Sequence, residues 1–261
     1  MTRQHYTSDL TDTEWSLFEK KLLELKKTKR GRKPVIPKRE IVNAILYRLR
    51  TGCQWRDLPH DFPDWQAVYS QFRQWRNKGI WKKLHDGLCR DVRVKAGRDP
   101  EPSALIIDSQ SVKADEIAQE SGYDAGKKIK GVKRHVVVDV LGLLICVVVH
   151  SAAIQDRDGA KQVFRLAKPL APRVSLVWAD GGYAGKLVDW TKEHFSWTLE
   201  IVKRNELHTF KVLPKRWIVE RTFGWFMKWR CLNRHHARKT ETAEDDLRIV
   251  MTKYMLRRLA A

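Results

Sequence analysis

Asp108, Asp180 and Glu220 are the residues whose type and setting point most directly to chemistry. They lie in Leu105-Ile106-Ile107-Asp108-Ser109-Gln110-Ser111-Val112-Lys113, in Leu176-Val177-Trp178-Ala179-Asp180-Gly181-Gly182-Tyr183, and in Arg216-Trp217-Ile218-Val219-Glu220-Arg221-Thr222-Phe223. In the first two, an apolar β-prone run ends on an aspartate; in the third, a glutamate interrupts a helical pattern. An ionised carboxylate in such a place is costly unless it is paired or binds a metal. Three carboxylates brought together repel one another, and divalent cations resolve that conflict. A pair of Mg²⁺ (or Mn²⁺) ions held this way activates a water or hydroxyl and stabilises the leaving oxygen in phosphoryl transfer. Each acid alone also fits a plainer role: Asp108 or Asp180 as a turn residue at a strand end, Glu220 as a surface helix residue paired with Arg216 one turn back. The rival acids Asp156 and Asp158 stand just before a helical pattern, where a capping or loop role is expected.

The charge balance indicates the substrate class. Lys and Arg number 51 against 31 Asp and Glu, a formal net charge of +20. Such an excess points to a polyanion bound through phosphate contacts and counterion release; the alternative is a very basic protein with a solvated surface. Basic and aromatic residues interleave, as in Phe72-Arg73-Gln74-Trp75-Arg76 and Trp225-Phe226-Met227-Lys228-Trp229-Arg230, which makes Arg73 and Arg76 candidate DNA contacts. Lys127, Lys128, Lys130, Lys133 and Arg134 read as a dense basic loop, either a phosphate clamp beside the acids or a solvated loop. The four cysteines form no CxxC pair, so neither a zinc site nor a disulfide framework is expected, and a reducing cytosol fits. No apolar stretch is long enough to span a bilayer and the N-terminus has no signal-peptide core, so no membrane partner and a cytoplasmic, nucleoid-associated location are expected.

The elements that must position these residues follow from periodicity. Thr11-Asp12-Thr13-Glu14 has the form of a capping box before Trp15, Phe18 and Leu22. A basic linker, Lys26 to Lys38, precedes a helical pattern from Ile41 that ends at Gly52. Trp65, Val68, Tyr69, Phe72 and Trp75 mark another helix, and Ile80 to Val92 a fourth. Short helices with a basic, aromatic third member suggest a helix-turn-helix-like DNA reader, or else a bundle that only packs. A Gly- and Pro-bearing stretch, Lys95 to Pro102, divides a helical domain (1–97) from a second domain (103–261). There, strands are expected over Ala104 to Ile107, Arg134 to Val140, Leu143 to His150, Val174 to Ala179 and Trp197 to Lys203. Helices are expected over Asp158 to Ala167, over Leu187 to Phe195, and from Arg216 to the end, with Asp245 to Leu259 amphipathic. Hairpin strands followed by strand–helix alternation imply an α/β fold with a mixed sheet flanked by helices.

At this point the chain resembles a known family, the DDE transposases of bacterial insertion sequences, of the IS-five group. The matching segments are Thr51-Gly52-Cys53-Gln54-Trp55-Arg56-Asp57-Leu58-Pro59, Asp108-Ser109-Gln110-Ser111-Val112-Lys113, Gly131-Val132-Lys133-Arg134-His135, Ala179-Asp180-Gly181-Gly182-Tyr183, and the Arg216 to Phe223 segment. Each is weak alone; five in order make the match specific across nearly the whole chain. The resemblance implies a ribonuclease-H-like catalytic domain after the small all-α, helix-turn-helix-like domain, with Asp108, Asp180 and Glu220 as catalytic and metal-binding triad. It implies recognition of the element's terminal inverted repeats in double-stranded DNA, cleavage there, and joining to target DNA. The family's acidic helix often carries an Arg four residues before the Glu and a Lys seven after it. Arg216 matches the first. The later position is Met227, and Lys228, eight on, lies roughly 80° from Glu220 around the helix. Pairing of two ends predicts a homodimer in the DNA complex. Two other functions remain open on sequence grounds: an inert DNA-binding derivative of a transposase, and a nuclease of this fold without strand transfer.

Overall fold

A computed structural model describes residues 3–25, 35–202 and 216–261. The basic run Lys29 to Pro34 and the end of the last expected strand, at Lys203, lie outside the described residues. The chain divides into two compact units. The first comprises 1–96 with 226–233 and 245–261; the second comprises 97–225 with 234–244.

The first unit is helical. α1 (Asp12–Glu24) opens with the expected capping box, Thr11 accepting from the Glu14 N–H while the Glu14 carboxylate accepts from the Thr11 N–H. α2 (Lys38–Thr51) stops at Gly52, which takes the left-handed conformation that ends helices cheaply. α3 (Trp65–Asn77) starts on an Asp64 cap, and α4 (Ile80–Lys95) follows after a short turn. The apolar faces of these helices supply Phe18, Leu49, Val68, Phe72, Trp81 and Leu84, all nearly inaccessible to solvent. Beyond what the sequence pattern implies, the chain's C-terminal residues complete this core. Ile249 and Leu256 line one space with Leu10, Phe18, Val42 and Trp81. The Lys253 ammonium lies 2.5 Å from Glu14 and donates to the Asp9 carbonyl.

The second unit is built on a six-stranded mixed sheet in the order β2-β3-β1-β5-β6, with β4 also paired to β3. The strands are β1 (Ala104–Lys113), β2 (Gly122–Asp124), β3 (Ile129–Val138), β4 (Leu144–Ser151), β5 (Leu176–Ala179) and β6 (Thr198–Ile201). β1 and β4 run antiparallel to β3, whereas β5 runs parallel to both β1 and β6. Helices α5 (Asp156–Ala167), α6 (Leu187–Phe195) and α7 (Trp217–Met227) alternate with or follow the later strands. This is the ribonuclease-H-like arrangement implied by the resemblance. Leu105, Ile106 and Ile107 are buried in succession, as expected of a central strand covered on both faces.

Several expectations change. β1 does not end at Ile107 but continues six residues further against β3, so Asp108 sits within a strand. β3 begins at Ile129, which puts Lys130, Lys133 and Arg134 in a strand and leaves only Lys127 and Lys128 in the turn before it. Their charges make the segment look like a loop, but acidic partners inside the fold accommodate Lys133. Gly131 lets β3 approach β1, since a Cβ there would lie 2.0 Å from the Val112 carbonyl oxygen. The helix expected from Arg216 to the end is broken: α7 stops at Met227, and α8 (Thr240–Ala260) starts afresh. α8 is not amphipathic in its middle. Asp245, Asp246, Leu247, Ile249, Val250 and Met251 are all buried, around most of the helix circumference. Among the described residues no helix is long and apolar enough to cross a membrane.

Candidate active site

Parallel pairing of β1 and β5 aligns Ala104 with Leu176 and Ile106 with Trp178. Asp108 and Asp180 each lie two residues beyond that last pair, at equal offsets on neighbouring strands. Both are partly exposed, at the carboxyl end of β5, the end where open α/β sheets place their ligands. The Asp108 Oδ1 accepts the Ser109 N–H at 2.7 Å. The Asp180 Oδ1 accepts the Gly182 N–H at 2.8 Å, closing the turn that follows β5. Burial pushes the Asp108 carboxyl up to about 6, and the charge of Asp180 adds to it, against opposing contributions from the Ser109 N–H, Lys127 and Arg216. Two neighbouring carboxylates are hard oxygen donors suited to a divalent cation, whose charge would return Asp108 to its ionised form.

Glu220 is on α7 and exposed. Arg216 donates to it at 2.9 Å, one helical turn away. The same guanidinium contributes to the field at Asp108. Among the described residues no group of three or more His, Cys, Asp or Glu is gathered so as to hold a metal ion. The fit to a cation therefore rests on Asp108 and Asp180, with Glu220 engaged by Arg216.

The basic candidates divide. Lys128 and Lys130 are exposed. Lys127 turns its ammonium inward, donating to the Ser109 carbonyl at 3.0 Å and lying 3.3 Å from its hydroxyl, where its charge reaches Asp108. Lys133 and Arg134, 4% and 1% exposed, are not surface clamp residues. Lys133 lies 3.0 Å from Asp156 and 3.4 Å from Asp124, and donates to the Ile154 carbonyl. A buried cation with internal acidic partners is held by the fold and is not free for phosphate. In the first unit, Arg73 is exposed on α3 with its guanidinium over the Tyr69 ring, and Arg76 is half-buried on the same helix. Lys228 is exposed one residue past the end of α7, so its helical angle to Glu220 no longer applies.

A polar cluster that no sequence motif announces lies on the other face of β1. Successive strand residues point to opposite faces, so Ser109 and Ser111 face away from Asp108 and Gln110. They pair across the ladder with His135 and Lys133. The Ser109 hydroxyl donates to Asp156 at 2.9 Å and the Ser111 hydroxyl to Asp124 at 2.6 Å. His135 and His150 stack with 2.7 Å between ring nitrogens. α5 comes so close to them that a Cβ on Gly159 would lie 2.3 Å from the His135 ring. The sequence signal for this cluster is the period-two placement of Ser109, Ser111, Lys133 and His135 in strands otherwise rich in Val and Ile.

Residues 10–85 match the family model described as "Putative transposase of IS4/5 family", and residues 99–256 match "Transposase DDE domain". The chain is 30% identical over 118 residues to the uncharacterized 16.2 kDa protein of insertion element IS402 from Burkholderia cepacia, covering 43% of this chain and 78% of that protein. It is 30% identical over 105 residues to the uncharacterized protein y4sN of Sinorhizobium fredii, covering 40% and 76%. A solved pre-cleavage Mos1 transpososome aligns over 94% of this chain and 83% of that chain, at 12% identity and a TM-score of 0.33.

Proposed function

The chain belongs to the transposase DDE-domain family, and from that premise we propose that it binds the terminal inverted repeats of its own element and performs cation-dependent DNA cleavage and strand transfer there. The observation that carries this reading is the pair Asp108 and Asp180, at equal register positions on adjacent parallel strands, with the Asp108 carboxyl pushed up to about 6 by burial and by its neighbour. Asp108 and Asp180 would hold Mg²⁺ or Mn²⁺. Glu220 would join them once Arg216 turns to a DNA phosphate. Cations held there would supply activation of the attacking water or 3′-hydroxyl and stabilisation of the leaving oxygen. This chain's own residues supply the rest. Lys127 carries an ammonium to the edge of the pair, where it would hold a phosphate oxygen, and Lys128 and Lys130 extend the positive surface outward. No side chain serves as a nucleophile.

Arg73, Arg76 and Lys228 are proposed as DNA contacts of the helical unit, with α3 reading the element's ends. The +20 net charge supports tight, salt-sensitive binding to double-stranded DNA in the bacterial cytoplasm. Cutting two ends and joining them to nearby target positions calls for two active sites, most simply a homodimer formed on DNA. The exposed Glu220–Arg216 ion pair favours one competing reading, a derivative that binds ends without cutting. Duplexes carrying the inverted repeats that flank the gene test both. With Mg²⁺, the chain should nick at the element boundary and join the freed 3′ end to a second duplex. Binding without nicking would establish the inert derivative, and nicking without joining a simple nuclease.

A further inference from the structure

Asp156, expected to cap a helix or lie in a loop and found as the first residue of α5, is the centre of the polar cluster behind β1. Its Oδ1 accepts the Ser109 hydroxyl at 2.9 Å and lies 3.0 Å from the Lys133 ammonium. Burial alone would push its carboxyl up, but these two partners outweigh that and hold it below the ordinary range. His135 does not add a third bond. The His150 Nδ1–H donates to the Ser151 carbonyl at 2.8 Å, so the His150 Nε2 accepts from the His135 Nδ1–H. That leaves the His135 Nε2 as a bare lone pair, 3.7 Å from Asp156 and without a hydrogen-bond partner. Asp156 is therefore fixed by Ser109 and Lys133, and its surroundings connect it to both acids of the candidate pair. Ser109 carries the backbone N–H bonded to Asp108. The other Asp156 oxygen faces the Asp180 turn, 3.7 Å from where a Cβ on Gly182 would sit. Tyr183, fully buried in that turn, feels the charges of Asp108, Asp156 and Asp180 together.

We propose that Asp156 is a positioning residue for the reaction: acting through Ser109 from the face opposite Asp108, it fixes β1 against the β5 turn and so sets the separation of the Asp108 and Asp180 carboxylates. The inference rests on the reading of those two acids as a cation-binding pair. Groups that hold ligands in place from behind commonly change metal affinity or activity by about 10–100-fold when removed. Asp156→Asn keeps the size and leaves Lys133 its second partner, Asp124, so no buried cation is orphaned. Ser109→Ala removes the linking hydroxyl without changing any charge.

The test is Mn²⁺ binding to the full chain without DNA, followed by electron paramagnetic resonance of the free ion, with thermal melting in chelator alongside. Asp108→Asn should abolish binding. Asp156→Asn and Ser109→Ala should each weaken it about tenfold, with melting close to that of the parent. In the end-cleavage assay they should lower the rate at saturating DNA and leave end affinity unchanged. Folded Asp156→Asn and Ser109→Ala proteins that bind Mn²⁺ as the parent does would overturn the positioning role and leave the pair intact. Loss of binding in Asp156→Asn with parental binding in Ser109→Ala would make Asp156 a direct ligand, which also overturns it. If Asp156→Asn fails to fold, Ser109→Ala decides alone. Parental Mn²⁺ binding by Asp108→Asn would remove the pair itself, and the positioning role with it.

Discussion

Replacing Asp108 with Asn should make the metal-free protein more stable at neutral pH while removing its activity. In the folded chain the Asp108 carboxyl is pushed from its ordinary 3.8 up to about 6. A difference of roughly 2 in pKa, at about 1.4 kcal/mol each, amounts to roughly 3 kcal/mol. The sign follows from which state holds the proton. Below about pH 4 both states are protonated and Asp108 costs nothing. Between about 4 and 6 the unfolded chain releases its proton while the folded chain keeps it, so stability falls as pH rises. Above about 6 the full penalty applies. Asparagine is neutral throughout, and its side-chain carbonyl can still accept the Ser109 N–H now 2.7 Å from Asp108. Urea melts in chelator across about pH 4.5 to 8 would show the two proteins converging at the acid end and the variant ahead by roughly 2–3 kcal/mol at the alkaline end. Added Mg²⁺ should stabilise the parent and not the variant. A stability difference that does not change with pH, or a variant weaker than the parent at the alkaline end, would refute the electrostatic account of the pair.

Three further outcomes follow from the fold and its charges. A fragment 1–97 should lack cooperative unfolding by circular dichroism, because Ile249, Leu256 and Lys253 complete its core; a sharp thermal transition in the isolated fragment would show that they are dispensable. Lys127, Lys128 and Lys130 changed together to Ala should weaken binding to any duplex and lower the slope of log affinity against log salt by about 1 for each phosphate they neutralise. An unchanged slope would take the hairpin out of the DNA interface. Gly131→Ala should unfold the chain or cost more than about 3 kcal/mol, since its methyl would collide with the Val112 carbonyl between β1 and β3. A soluble, parent-like melt would mean the strands can separate there at little cost.

Much of the architecture was legible because local and tertiary requirements coincide. Thr11 and Glu14 cap α1 as their spacing implies, and the Val- and Ile-rich runs that end near Asp180 and Gly142 are strands. What sequence hid was long-range pairing. Lys133 and Arg134 look like loop charges because nothing local shows that Asp124 and Asp156 lie beside Lys133 inside the fold. Asp156 reads as a capping or loop residue ahead of a helix, but it is the first residue of α5, behind the Gln155 cap, and its partners Ser109 and Lys133 come from two strands far away in sequence. Asp245 and Asp246 make α8 look half-solvated, yet both are buried; Asp246 lies 3.7 Å from Arg48 and Asp245 2.9 Å from Arg248. The acid pair was legible as two apolar runs ending alike. That they meet at equal offsets depends on the parallel register of β1 and β5, which no local pattern specifies.

The central claim, that Asp108 and Asp180 with Glu220 carry a cation-dependent DNA reaction, is tested most directly by single-turnover end cleavage in Mg²⁺ alongside a gel-shift measurement of end affinity. Asp108→Asn, Asp180→Asn and Glu220→Gln should each reduce cleavage by at least about a thousandfold, because each removes a carboxylate that would hold the cation at the reacting phosphate. End affinity should remain within a few-fold of the parent. Parental cleavage by any of the three variants would contradict the account.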